Sequence, residues 1–283
     1  MADWTELTRG FYLEGLLVDG PDIWFTDVTR GGVHNLRTGQ TVLPERTMVG
    51  GLLLNADGKL LVAGGGGVDW VDPASGASGT LLTVEDGVNE MRSDGAGGLL
   101  FGTIDLPSIL KGEKPGPSSI RRLSTDGTMS VLRDGLAFAN GLSLSPDGQV
   151  LYFNESFVAS RRFPVGEGFV LGEMETFRDM ADCDGMALDV GGNIWLCGFA
   201  SDHLVCMSPR GEEIGRLQLP GPACTNVRFG GEDMRDLFVT VVDTADAQKL
   251  ADGVPIKAQN SAMYRTRAEV AGAPIARTAF RLG

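Results

Sequence analysis

The stretch "FANGLSLSPDGQVLYFNES" at residues 138–156 predicts a β-hairpin. Its second half, "QVLYFNE", is rich in aromatic and branched residues and follows a Pro-Asp-Gly turn, which is typical of a strand. The first half alternates apolar and small polar residues. It begins, however, with the amide of Asn140, where the alternation would place a core residue.

The same strand–turn–strand unit recurs at intervals of 37 to 51 residues. The second strands of the six copies are "DIWFTD" (22–27), "KLLVAG" (59–64), "GLLFGT" (98–103), "QVLYFNE" (149–155), "NIWLCG" (193–198) and "DLFVTV" (236–241). Further strands follow each copy, and helical periodicity is absent throughout. Six units of about four strands predict an all-β fold, a six-bladed β-propeller that forms a single domain over residues 1–283. A large β-sandwich is the alternative, but it would not require so regular a repeat.

Two segments fall outside this repeat. The insertion "IDLPSILKGEKPGPSS" (104–119) is either a flap over one mouth of the channel or a long surface loop. We expect the residues before Glu14 to close the ring by pairing with the last blade, where "RTAFRLG" (277–283) would add a terminal strand.

Composition narrows the function class. The net charge of −13 argues against a nucleic-acid or anionic-membrane partner. No apolar run approaches the ~18–20 residues of a membrane span, and "MADWTELTRG" (1–10) lacks the features of a signal peptide. The four cysteines show no C-x-x-C spacing, so neither a zinc site nor a disulfide framework is indicated. We therefore expect a cytoplasmic protein, a monomer or small homo-oligomer, that acts on a small molecule.

Aligning the repeats explains the amide at the head of the hairpin. Asn89, Asn140 and Asp184 each lie ten residues before an equivalent strand position, and Glu14 lies nine before its own. Because the first strand of every propeller blade lines the axis, these four oxygen-bearing side chains should converge in the channel. Buried together without a partner they would be costly, and a bound divalent cation resolves the conflict.

The donor types indicate which cation this would be. Oxygen ligands without His or Cys favour a hard metal such as Ca²⁺, Mg²⁺ or Mn²⁺. Ca²⁺ is the preferred candidate, with Zn²⁺ and Fe²⁺ as further alternatives. Blade 2 has Gly50 and blade 6 has Thr225 near the equivalent position, which would leave room for water and substrate. The alternative is that the Asn-Gly and Asp-Gly pairs are merely turn residues.

At this point the sequence resembles the SMP-30/gluconolactonase family, also called the regucalcin or luciferin-regenerating-enzyme-like group. The resemblance rests on the segments 13–27, 88–103, 138–156, 183–197 and 222–240. It implies a six-bladed propeller with a divalent metal held by Glu14, Asn140 and Asp184, and with Asn89 facing substrate or a metal-bound water. It also implies hydrolysis of lactones, particularly sugar lactones, and in some relatives of organophosphate esters.

One position departs from the family pattern. Members that act on sugar lactones usually carry Arg two residues before the Asn of blade 3, followed by Asp-Gly. Here Gly87 replaces the Arg, and Glu90-Met91 replace Asp-Gly. Loss of the guanidinium removes a strong contact to hydroxyl groups, which favours a less polar lactone or ester.

The hypothesis is therefore a metal-dependent lactonase. The cation would polarise the lactone carbonyl, and Asp184 would take a proton from the attacking water as general base. Asn89 would orient the substrate, and the adjacent Glu90 is a second candidate for substrate contact or for the base, although strand alternation should turn its side chain away from the channel.

Other functions remain as alternatives. A Ser-His-Asp triad would have to use His34 or His203, and no G-x-S-x-G elbow occurs. A phosphotriesterase-type hydrolase of the same fold is not separated from a lactonase by sequence. A non-enzymatic metal- or ligand-binding propeller or interaction scaffold is a further alternative, against which the axial carboxylates favour an enzyme.

Overall fold

The computed structural model describes residues 2–283. Five of its hairpins are closed by the same kind of turn, which ends in a glycine. In each turn a glycine N–H donates to the carbonyl three residues earlier over 2.8–3.0 Å. Each of these glycines has a φ between +70° and +88°, where a side chain would be strained. They are Gly58, Gly127, Gly148, Gly192 and Gly211. The recurrent glycine in the sequence repeat therefore marks the turn between strands.

Over residues 2–283, twenty-four strands form six four-stranded antiparallel sheets. The innermost strands are β2 (Leu13–Asp19), β6 (Leu52–Leu54), β10 (Val88–Ser93), β14 (Ala139–Leu144), β18 (Cys183–Leu188) and β22 (Ala223–Gly230). The second strands are β3 (Asp22–Asp27), β7 (Leu60–Gly64), β11 (Leu99–Thr103), β15 (Val150–Glu155), β19 (Ile194–Gly198) and β23 (Asp236–Val242). The third strands are β4 (Val33–Asn35), β8 (Gly67–Val71), β12 (Ser118–Leu123), β16 (Ala159–Pro164), β20 (His203–Met207) and β24 (Ser261–Arg267). The outer strands are β5 (Thr41–Val42), β9 (Ser78–Thr83), β13 (Met129–Leu136), β17 (Glu175–Arg178), β21 (Glu213–Gln218) and β1 (Thr5–Gly10). The predicted six-bladed β-propeller is thus confirmed.

The ring closes through the N-terminal strand, as predicted. β1 pairs antiparallel with β24 and becomes the outer strand of blade 6. The expectation of an added strand at 277–283 is wrong, because β1 already occupies that edge. Instead Thr278 bridges to Asn55 in blade 2, and the buried ring of Phe280 packs in the core between blades 2 and 3.

Two helices interrupt the strands, which the absence of helical periodicity did not predict. They are α1 (Leu106–Leu110) in blade 3 and α2 (Thr244–Ala251) in blade 6. Each is capped by an aspartate: the carboxylate of Asp105 accepts from the N–H of Ser108, and that of Asp243 from the N–H of Ala245. Both are too short for a periodic pattern. A 3₁₀ turn covers Glu167–Phe169, and no helix in residues 2–283 is long and apolar enough to cross a membrane.

Large apolar side chains fill the spaces between neighbouring blades. Trp70 of blade 2 and Phe101 of blade 3 belong to one buried cluster, and Trp195 of blade 5 meets Phe229 of blade 6 edge to face at 6.0 Å. All four cysteines are buried and unpaired. This packing holds the inner strands at fixed distances around the axis, which positions the site described next.

Candidate metal and active site

Five of the six inner strands carry a β-bulge, and the four candidate donors lie in four of these bulges. The strand register shifts between Leu13 and Leu16, between Val88 and Met91, between Ala139 and Leu142, and between Cys183 and Met186. Glu14, Asn89, Asn140 and Asp184 fall inside these four intervals. A bulge redirects one side chain out of the strand alternation. An amide can therefore stand at Asn140 without disturbing the core face of the strand.

The glycines that follow three of the donors are required by close approach of the inner strands. A Cβ added at Gly15 would lie 2.1 Å from the carbonyl oxygen of Gly50, and one added at Gly141 would lie 2.4 Å from that of Asp184. These contacts join neighbouring blades, and no larger residue could occupy either position. The Glu-Gly and Asn-Gly pairs are thus axial strand residues, not turn residues.

The four donors line one cavity of about 330 Å³ at the end of the channel where the inner strands begin. Leu106 and Ile109 of α1 and Pro115 also line it, so the insertion at 104–119 is a flap over the mouth and not a remote surface loop. Most of the remaining wall is apolar. Its larger side chains are Tyr12, Met48, Ile104, Leu106, Ile109, Phe138, Phe157, Phe199 and Leu250.

Two carboxylates that line this cavity have raised pKa values. Burial raises the pKa of Asp184 well above its usual range, and the charge of Glu14 raises it further. Burial likewise raises the pKa of Glu14 to about 8, with the nearby charge of Glu90 adding to the effect. Asp184 is only 4% exposed. Its Oδ1 atom has no hydrogen-bond partner among the residues that the structure describes.

Neighbouring polar groups fix the orientation of the two amides. The Nδ2 of Asn140 donates to the hydroxyl of Ser156 at 3.2 Å, and that hydroxyl donates to the carbonyl of Cys183 at 2.6 Å. The Nδ2 of Asn89 donates to the carbonyl of Ala139 at 3.2 Å. Since each amide is held through its nitrogen, its oxygen is left available to a ligand in the cavity.

The donor set fits a hard divalent cation. A buried carboxylate with an oxygen that lacks any partner, Asp184, beside the half-buried carboxylate of Glu14 is an arrangement that a cation would stabilise. Within residues 2–283, no three His, Cys, Asp or Glu side chains gather closely enough to hold a metal by themselves. The remaining donors are therefore amide oxygens, which suit Ca²⁺ or Mg²⁺ better than Zn²⁺ or Fe²⁺.

Glu90 does not line the cavity that contains Glu14 and Asp184. Its carboxylate accepts from Nη1 of Arg92 at 2.9 Å and from Nη2 of Arg228 at 3.1 Å, and all three side chains are at most 7% exposed. Burial raises the pKa of Glu90, but the two guanidinium charges outweigh it, and the pKa lies below the ordinary value. Glu90 is thus the centre of a buried ion triad, and its predicted contact with substrate is not supported by this geometry.

The buried ion triad lies outside the cavity that the four candidate donors line. Arg92 and Arg228 line a second cavity of about 290 Å³, where the inner strands end, and it shares no residue with the first. Burial lowers the pKa of Arg228 to about 10, and repulsion from Arg92 adds to this. Sequence analysis missed the triad because its members come from blades 3 and 6, which only the fold brings together.

The residues of the alternative Ser-His-Asp triad do not assemble. Nδ1 of His203 contacts Asp202 at 2.9 Å, whereas the hydroxyl of Ser201 donates to Asp182 at 2.6 Å. His34 contacts the Gly31 carbonyl at 3.0 Å. Neither histidine lines the cavity that holds Glu14 and Asp184.

Sequence analysis also missed the aromatic and aliphatic wall, although the repeat carries a signal for it. Val28, Ile104 and Phe199 each follow the last residue of a second strand, and Phe157 follows two residues after another. All four line the cavity. The residue after the second strand is therefore the repeat position that forms the rim.

Comparison with known proteins agrees with this geometry. Residues 14–243 match the model of the family described as SMP-30/Gluconolactonase/LRE-like region. The chain belongs to this family. The match begins at Glu14 and includes all four donors, which confirms the resemblance drawn from the sequence.

Individual relatives of the SMP-30/gluconolactonase family align over most of the chain. Pentonolactonase XacC of Haloferax volcanii is 27% identical, with 94% of this chain and 93% of that protein covered. The 6-deoxy-6-sulfogluconolactonase of Pseudomonas putida is 28% identical, with 88% of each covered. The crystal structure of regucalcin, a calcium-binding protein from Agrobacterium tumefaciens, superimposes with a TM-score of 0.78 at 24% identity, covering 98% of this chain and 96% of that one.

Proposed function

We propose that this protein is a divalent-metal-dependent hydrolase that opens a lactone ring. The observation that carries the proposal is the pair Glu14 and Asp184 at the floor of the cavity, with the Oδ1 of Asp184 buried and unpartnered. The full-length relatives named pentonolactonase and 6-deoxy-6-sulfogluconolactonase support the reaction type.

Glu14, Asn140 and Asp184 would hold the cation. Ca²⁺ is the first candidate, because the donors are carboxylate and amide oxygens and because the structurally similar regucalcin is a calcium-binding protein. When bound, a divalent cation would supply Lewis acidity, polarising the lactone carbonyl and stabilising the negative charge that develops on its oxygen.

Side chains of the protein would orient the substrate and transfer the proton. One N–H of Asn89 is held by Ala139, so the second N–H and the amide oxygen would orient the substrate. Asp184 would accept a proton from the attacking water. The water oxygen would bond to the carbonyl carbon, the bond from that carbon to the ring oxygen would break, and the ring oxygen would leave as an alcohol after taking up the proton that Asp184 had accepted. The product is a hydroxy acid.

The test is hydrolysis of a lactone panel by metal-stripped protein, with Ca²⁺, Mg²⁺, Mn²⁺ and Zn²⁺ added back singly. We expect turnover only with cation, first with Ca²⁺, and a loss of about 10³-fold or more in kcat for Asp184→Ala. Calcium titration by calorimetry should show one site in the wild type and none in the variant.

The control is Glu173→Gln, which changes an exposed carboxylate that does not line the cavity. It should behave as the wild type. Absence of turnover with every lactone and cation, or full activity of Asp184→Ala, would overturn the lactonase proposal.

A further inference from the structure

The cavity above Glu14 and Asp184 is roofed by two helices from opposite blades. α1 extends from blade 3 and α2 from blade 6, and their ends meet where glycines face each other. A Cβ added at Gly112 would lie 2.9 Å from the carbonyl oxygen of Asp252, and one added at Gly253 would lie 3.2 Å from the N–H nitrogen of Gly112. The two segments therefore form one continuous lid across the mouth.

The inner face of this lid is largely apolar. Leu106 and Ile109 of α1 line the cavity at 6% and 8% exposure, and Ala247 and Leu250 of α2 line it from the other side, together with the uncharged polar side chains of Thr244 and Gln248. Leu110, the neighbour of Ile109, points outward and is 57% exposed. The lid thus places its apolar side chains over the site.

An aromatic rim from blades 4 and 5 completes the wall. Phe157 packs edge to face against Phe138 with ring centroids 5.5 Å apart, and it meets Phe199 at 5.4 Å. All three line the cavity. Even so, Phe157 is 60% exposed, which leaves much of its ring free for a further apolar group.

The backbone of Phe157 is strained to hold this position. Its φ is +70°, a conformation that costs a bulky residue free energy and that tends to persist at functional sites. A hydrogen bond of 2.6 Å from its N–H to the carbonyl of Ala181 holds it there. Packing of the core does not explain a strained, exposed phenylalanine at the mouth of the cavity.

Apart from the four donors, the polar side chains of the cavity wall are uncharged: Tyr12, Ser156, Thr244 and Gln248. Among the described residues that line it, none is Lys, Arg or His. Gly87, where sugar-lactone enzymes of the family carry Arg, has a φ of +104°, so a side chain there would be strained. A Cβ at Gly87 would lie 3.3 Å from the carbonyl oxygen of Gly64, which leaves little room for a guanidinium arm.

We infer that the substrate is a lactone or ester that carries an apolar chain or ring, seated between the lid and the aromatic rim while its carbonyl lies at Glu14 and Asp184. The inference rests on the proposed function for the reaction itself, but the seating of the apolar group is a matter of binding. It assigns Phe157 and Ile109 as residues that determine specificity.

The first experiment measures binding without turnover, with lactams as unreactive ring analogues and calcium-loaded protein. Calorimetry compares 2-pyrrolidinone, its 5-pentyl derivative and a dihydroxylated derivative of the same ring. Each buried methylene contributes up to about fourfold in affinity. We expect the pentyl lactam to bind at least about tenfold more tightly than the parent, and the dihydroxylated one no more tightly than the parent.

Two variants test the contributions of the aromatic rim and of the lid separately. Phe157→Ala and Ile109→Ser should each reduce the pentyl-to-parent affinity ratio by about fivefold or more. The matched controls are Phe169→Ala, which removes a phenylalanine with φ of +66° outside the cavity, and Leu110→Ser, which changes the exposed neighbour on the same helix. Both controls should keep the wild-type ratio.

The second experiment compares kcat/KM for γ-nonalactone, γ-butyrolactone and a pentono-1,4-lactone. Preference for γ-nonalactone supports the inference, and preference for the pentonolactone overturns it while leaving the lactonase proposal intact. If no lactone is hydrolysed, the lactonase proposal fails, and the lactam affinities still decide: a ratio near one, or a ratio that Phe157→Ala does not change, overturns the apolar seat.

Discussion

Glu90 has a different role in the structure from the one that its position next to Asn89 predicts. The donors Glu14, Asn140 and Asp184 are each followed by glycine, whereas Asn89 is followed by Glu90. Space for the longer side chain comes from blade 2, since a Cβ added at Gly51 would lie 2.5 Å from Oε1 of Glu90. Because Glu90 follows Asn89, which is predicted to bind substrate, the sequence predicts that it also contacts substrate or acts as the base. In the structure its carboxylate instead neutralises two buried arginines.

That role predicts a loss of stability when the charge is removed. Glu90→Gln would leave Arg92 and Arg228 buried without a carboxylate, so the free energy of unfolding should fall by about 3–5 kcal/mol. Glu175→Gln, which breaks the exposed pair with Arg162, should cost about 1 kcal/mol or less. Urea denaturation measures both. An unchanged stability with a raised KM would show that Glu90 contacts substrate after all.

At the scale of single elements, the sequence predicts strands well and short helices poorly. The second strands agree with the structure to within one residue because a glycine turn and an aromatic-aliphatic run fix each of them. α2 has eight residues and α1 has five, too few for an apolar stripe to recur. Their aspartate caps at Asp105 and Asp243 are readable signals, but caps of this kind also occur in ordinary turns.

In the candidate site, too, local sequence predicts some features and not others. The shared position of the four candidate donors is predictable because the repeat places them in equivalent bulges, and local sequence carries that information. The contacts between α1 and α2, and between Glu90 and Arg228, join blades 3 and 6, and they depend on closure of the ring. No local pattern specifies such pairs.

The glycine seam between α1 and α2 predicts that the lid can be loosened by one substitution. In Gly253→Val, the new side chain would press on the backbone at Gly112, so amide exchange over residues 243–260 should become faster. Affinity for the pentyl lactam should fall several-fold with it.

The control for the lid is Gly168→Val. Gly168 has the same φ of +66° as Gly253 but open space around it in the described structure. It should lose a similar amount of stability to backbone strain, about 1–2 kcal/mol, without faster exchange in the lid. Equal exchange in both variants would mean that the seam does not hold the lid.

At the scale of the whole molecule, the two ends of the chain stabilise different parts of the ring. β1 closes blade 6, and the indole N–H of Trp4 donates to Gln218 in blade 5 at 2.9 Å. The C-terminal tail instead crosses the face of the propeller opposite the candidate site. There Asn55 accepts from the N–H of Phe280 at 2.9 Å, and Ala279 donates to the carbonyl of Gly97 in blade 3 at 2.8 Å.

Removal of each end should therefore weaken different blades. Deletion of residues 2–10 exposes the edge of β24 and removes the bonds that join β1 to it, at about 0.5–1.5 kcal/mol each. Deletion of residues 277–283 leaves that edge intact but opens the packing between blades 2 and 3. Native-state hydrogen exchange should show protection lost first in β23 and β24 for the first variant, and in β6, β7 and β11 for the second. If both deletions weakened all six blades equally, the ring would be a single cooperative unit, and closure by β1 would not be local to blade 6.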